Sequence, residues 1–103
     1  MRLSAVASTL AASLMLASTA FAADKVKIGF VSTLSGPGAG LGVDIRDGFN
    51  LAVKHLNGKI GNLPAEVLIA DDQQKPDVAK GETEKFLKKD KVDFMTGIVF
   101  SNI

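Results

Sequence analysis

The sequence contains no cysteine. That excludes disulfide bridges and thiolate metal sites, so a domain placed in an oxidising compartment has to hold itself together by its apolar core. Charge of one sign is also lacking: twelve Lys and Arg stand against eleven Asp and Glu, interleaved along the chain. Such a balance gives neither the basic footprint of a nucleic-acid-binding domain nor a face for anionic lipid. Histidine occurs once, at His55, beside rather than on an apolar helical stripe, with neither a Cys nor a Ser placed to form a nucleophilic pair with it. No internal repeat is present, and beyond the N-terminus no apolar run is long enough to span a bilayer.

The N-terminus reads as a targeting segment over residues 1–23. Arg2 supplies a positive start, residues 3–16 form an uncharged run rich in Ala and Leu, and Ala20-Phe21-Ala22 is a small-x-small cleavage site. A transmembrane anchor is the alternative, but interruption by Ser and Thr and the cleavage motif favour a cleaved signal. The mature chain then begins near Asp24, outside the cytoplasm, and loss of Arg2 leaves its charges equal. About 80 mature residues make one small unit, whereas an open α/β sheet covered on both faces needs well over about a hundred. Residues 24–103, which stop at Ser101-Asn102-Ile103 after an apolar strand, are therefore expected to be the incomplete N-terminal part of a larger lobe.

Val26, Ile28, Phe30 and Val31 predict a strand buried on both faces over residues 26–32. The glycine-rich loop 33–40 follows, and from near Leu41 a helix whose stripe is Ile45, Phe49, Ala52, Val53 and Leu56. Gly58 stops that helix, and Gly61 and Asn62 continue the turn. A second strand is expected over 65–70, ending in Asp71-Asp72. A second helix opens at Pro76 with Asp77 in its first turn, closes among Lys88, Lys89 and Lys91, and is weakened by Gly81. A third strand over 92–96 leads into Gly97. The alternation β-α-β-α-β predicts an α/β fold, a three-layer parallel-sheet lobe with right-handed crossovers and the first strand between the other two. Ligands bind such sheets beyond the carboxyl ends of the strands, where strand order reverses. Residues 33–41 and 97–102 meet there.

The glycines at 36, 38, 40 and 42 alternate, so no register gives G-x-G-x-x-G, and no Lys-Ser or Lys-Thr follows to make a phosphate loop. Export lowers the prospect of a nucleotide further. A smaller anion suits the same physics: the amides near Gly36, the Ser35 hydroxyl and a helix N-terminus can all receive a carboxylate. The bland alternative is a tight turn. The Ser101 hydroxyl and the amides of Ser101 and Asn102 are a second candidate donor set, the alternative being an exposed loop serine. Asp71 and Asp72 read as polar strand termination rather than a cation site, because adjacent side chains point apart and no further acid or histidine completes a shell. The lysines over 85–91 read as a solvated helix end. An exported hydrolase would need a nucleophile elbow, and G-x-S-x-G is absent.

The run Val26-Lys-Ile-Gly-Phe-Val-Ser-Thr-Leu-Ser-Gly-Pro37, with Gly42, Gly48, Asn50-Leu-Ala-Val53, Asp71-Asp72-Gln73, Gly97 and Ser101, resembles the start of the type I periplasmic binding proteins. The closest group is the branched-chain amino-acid-binding (leucine/isoleucine/valine) proteins of ABC transporters. This resemblance implies a monomeric, non-enzymatic, two-lobed receptor without a cofactor, which closes on a small ligand and delivers it to a membrane permease. It places Ser101 on the serine that holds the ligand's carboxylate and Leu41 on a side wall of the cleft, where relatives often carry an aromatic residue. Phe100 is a candidate wall or a core residue. Relatives continue with small or hydroxyl residues where this chain has Asn102 and Ile103, which leaves aromatic acids, urea and short amides beside amino acids as ligand classes. A sensor domain of the same fold is the rival role, distinguished by a C-terminal transmembrane segment.

Overall fold

The computed structural model describes residues 23–103, and the signal-peptide expectation falls on residues outside them. The elements are β1 (Val26–Ser32), α1 (Ala39–His55), β2 (Lys59–Ile60), β3 (Leu63–Asp71), α2 (Pro76–Lys88) and β4 (Phe94–Thr96). The sheet order is β2-β3-β1-β4. β1 runs parallel to β3, from Val26 opposite Ala65 to Ser32 opposite Asp71, and parallel to β4 on its other side. The predicted α/β order and the central place of the first strand are thus observed.

Alternation along β1 assigns one helix to each face. Phe30 lies at 1 % exposure with its ring centroid 5.3 Å from that of Phe49 on α1. Val31 faces the other way and packs with Ala70, Ala79 and Phe86, the last two from α2. The three layers are therefore α1, the sheet and α2.

The two-residue hairpin between β2 and β3 was not anticipated. Ile60 pairs with Leu63 in antiparallel fashion, and Gly61 and Asn62 both take positive φ, 57° and 64°, the requirement of the tight turn that suits strand twist. β3 consequently begins at Leu63, ahead of the expected residue 65. β4 begins later than expected, because the Val92 amide donates to the Phe86 carbonyl at the end of α2, and only the Asp93 amide turns to β1, at the Lys27 carbonyl. Lys91 lies beyond α2, which ends at Lys88.

α1 ends in a paired turn. Asn57 donates to the Lys54 carbonyl at 3.0 Å and Gly58 to that of Val53 at 2.9 Å. Asn57 already adopts the left-handed conformation, φ 58°, so it stops the helix one residue before the predicted Gly58.

The expected stripe on α1 needs correction. Ile45, Ala52 and Leu56 are exposed, while Gly42, Phe49 and Val53 are buried or half-buried. Periodicity marks a broad apolar arc, but the helix seats only one flank of it on β1. Ile69 and Phe94, which flank β1 on the same side of the sheet, also remain exposed.

Candidate functional site

The C-terminal ends of β1, β3 and β4 point to one edge of the sheet, and the segments leaving them meet there. β1 empties into the glycine loop. Its backbone turns at Gly36, φ 78°, and the Ala39 amide closes the turn on the Gly36 carbonyl at 3.1 Å. The helix starts two residues before the predicted Leu41. Its N-terminal amides carry no side-chain cap, and no acid occupies the first turn, so the positive end of the helix dipole is open.

What brings that helix end so close to the strand is Gly42. A Cβ on residue 42 would stand 1.7 Å from the Thr33 carbonyl oxygen, so only glycine permits this approach. On the other side of β1, Gly97 turns the chain out of β4 at φ 106°.

The loop is braced by the end of β3. Asp71 Oδ1 accepts from the Leu34 amide at 2.9 Å and the Gln73 amide at 2.8 Å. Asp72 is fully buried, and its Oδ1 accepts from the Thr33 hydroxyl and the Gln74 amide, both at 2.7 Å. Burial pushes the Asp71 carboxyl up, but hydrogen bonds from the Ser35 side chain and from the Leu34, Gln73 and Ser35 amides outweigh this and hold it below its ordinary value. Strand termination is therefore only part of what the two acids do. They do diverge, as adjacent side chains should, and each takes a different piece of the loop.

Ser35 and Gly36 are exposed at the tip of the loop, Leu41 is exposed in the first turn of α1, and Ser101 and Asn102 are exposed in the segment after β4. The contact joining the two segments is made by Phe100, whose ring lies over the backbone of Gly38 beside the Gln74 side chain. Ile103 follows and packs against the core. The surface so formed is open, with no cavity among the described residues.

Sequence reasoning did not find the bracing roles of Thr33, Asp71 and Asp72 or the seat of Phe100 on Gly38. The available signal was weak: a hydroxyl residue directly after a buried strand, and two acids directly after the strand that pairs with it.

Residues 25–103 match the family model for periplasmic binding proteins, and the chain belongs to that family. The type I fold with its parallel sheet is shared with solved substrate-binding proteins of ABC transporters. One is the substrate-binding protein from Sphaerobacter thermophilus, at 32% identity and TM-score 0.72 over 76% of this chain and 21% of that one. Another is a solute-binding protein from R. palustris in complex with benzoate, at 32% identity and TM-score 0.71 over 76% of this chain and 22% of that one. A third, from Rhodopseudomonas palustris BisB5, is in complex with 3,4-dihydroxybenzoic acid, at 26% identity and TM-score 0.67 over 71% of this chain and 20% of that one. This chain thus spans about a fifth of the length of the solved proteins it matches. No curated protein matches it.

Proposed function

We propose that this chain is the first-lobe portion of a periplasmic solute-binding protein that takes up a small carboxylate and hands it, chemically unchanged, to the membrane permease of an ABC transporter. The observation carrying this reading is the uncapped N-terminus of α1 at the edge where strand order reverses, in a chain that matches a binding-protein family over residues 25–103. The Ser101 hydroxyl and the amides of Ser101 and Asn102 donate to the anionic end, with the amides near Gly36 facing them across the mouth, while the Ser35 hydroxyl serves the Asp71 carboxyl. Leu41 lines the apolar side. The second lobe reads the rest of the ligand and closes over it by hinge motion.

Two ligand classes share this carboxylate chemistry. The sequence motifs point to an amino acid. The benzoate and dihydroxybenzoate held by two relatives favour an aromatic acid, and the exposed Leu41 and half-buried Phe100 offer apolar surface to a ring. Calorimetry of the full-length protein with leucine and with benzoate separates them. Replacing Ser101 with Ala is expected to weaken the preferred ligand by about 1 to 3 kcal/mol, the cost of losing a hydrogen bond to a charged group. Unchanged affinity in that variant refutes the assignment of Ser101.

A further inference from the structure

The glycine at position 38 is not explained by its backbone. Its φ of −88° and ψ of 0° are open to any L residue, unlike the φ of 106° at Gly97. Space explains it instead. A Cβ on residue 38 would lie 2.7 and 2.8 Å from two carbons of the Phe100 ring and 3.0 Å from Gln74 Oε1. The ring therefore rests on bare backbone.

The geometry points to Phe100 as the positioning residue of the cleft: seated on Gly38, its ring sets where Ser101 and Asn102 stand relative to the glycine loop, and it can do so only because residue 38 has no side chain. The seat itself is firm. The backbone amide of Gln74, whose side chain adjoins Gly38, donates to Asp72 Oδ1, the same oxygen that takes the Thr33 hydroxyl, so the seat's neighbour is tied to the exits of both β1 and β3. The chain after β4 touches down at three places: Gly97 against the Val31 carbonyl, Phe100 on Gly38, and Ile103 on the core. The Ile103 amide also donates to the Phe100 carbonyl at 3.1 Å, closing a turn whose two exposed residues are Ser101 and Asn102. A shift of the ring is thereby passed directly to the candidate carboxylate donors, and residues 38 and 100 form a size-matched pair, one small and one large.

The ligand-binding consequence rests on the solute-binding reading above, so the test has an arm that needs no ligand. The variants are Gly38→Ala, Phe100→Ala, Phe100→Leu and the double variant Gly38→Ala/Phe100→Leu, all in the full-length protein. Backbone amide exchange over residues 98–102 is measured without ligand, and binding of benzoate and of leucine by calorimetry. Gly38→Ala and Phe100→Ala are each expected to speed exchange there by about tenfold and to weaken whichever probe binds by about tenfold, within the range of coupling between contacting residues. The shorter Leu makes room for the new methyl, so the double variant recovers most of both losses. Exchange unchanged in Gly38→Ala, or protection lost there and not recovered in the double variant, overturns the proposal. Should Gly38→Ala fail to fold, unchanged exchange in Phe100→Ala overturns it equally. A wild-type protein that binds neither probe counts against the proposed ligands, while the exchange arm still decides the role of Phe100.

Discussion

The two segments that meet at the sheet edge are held by different forces. The loop after β1 is fixed by carboxyl groups, with Asp71 holding the Leu34 amide and Asp72 the Thr33 hydroxyl. The segment after β4 is held chiefly by packing, with Gly97 against β1, Phe100 on Gly38 and Ile103 on the core. Hydrogen bonds constrain both distance and direction, whereas apolar contact constrains distance alone. One wall of the candidate site is therefore rigid and the other adjustable, and the candidate carboxylate donor Ser101 stands on the adjustable one.

The hardest blow to the rigid wall is Gly42→Ala. With a Cβ placed 1.7 Å from the Thr33 oxygen, α1 must lift from the strand, and the loss is expected to reach about 3 kcal/mol. A denaturant midpoint equal to wild type would show that the loop and helix are not locked together. Next is Asp72→Ala, which strands the Thr33 hydroxyl and the Gln74 amide and should cost about 1 to 3 kcal/mol. Its exchange signature should be largest in residues 33–36 and weaker over 98–102, which it reaches only through Gln74; equal loosening over 98–102 would erase the distinction between the walls.

A smaller effect concerns pH. The Asp71 carboxyl sits below its ordinary value in the folded state, so on acidification the unfolded chain takes up this proton first. Its stabilising contribution is then complete above the unfolded value of 3.8 and fades as pH falls through the lower folded value. The brace is expected to be intact across the neutral range. An NMR titration placing the Asp71 carboxyl above 3.8 would contradict the hydrogen-bonded loop. The mildest change is Gly81→Ala, on the exposed side of α2 with nothing within 4 Å of the new methyl. It should raise stability by about 0.5 to 1 kcal/mol without altering either wall, as thermal melting would report.

Much of this architecture is legible in the residue order. The buried strand, the glycine loop, Pro76 opening α2 and the central place of β1 follow from periodicity, turn chemistry and crossover handedness. The side of α1 that is buried was not legible, since Ile45 and Leu56 are as apolar as Phe49 and only the seating of the helix on β1, with Phe49 against Phe30, decides which is covered. Nor were the true edges of β3 and β4, where Gly61 and Asn62 extend one strand and the Val92 amide, committed to α2, shortens the other.

What the sequence determined by itself is local: which stretches are strand or helix, that the connections force parallel pairing, and that a glycine loop leaves the sheet at the edge where strand order reverses. These depend on neighbours a few residues apart and on the lengths of the connections between elements. What only the tertiary structure decided is how that loop is held. Register places Ser32 opposite Asp71, and so brings Thr33 to Asp72 across 39 positions and Leu34 to Asp71 across 37. Gly38 and Phe100 meet through the same sheet geometry, which sets strands side by side whatever their separation in the chain.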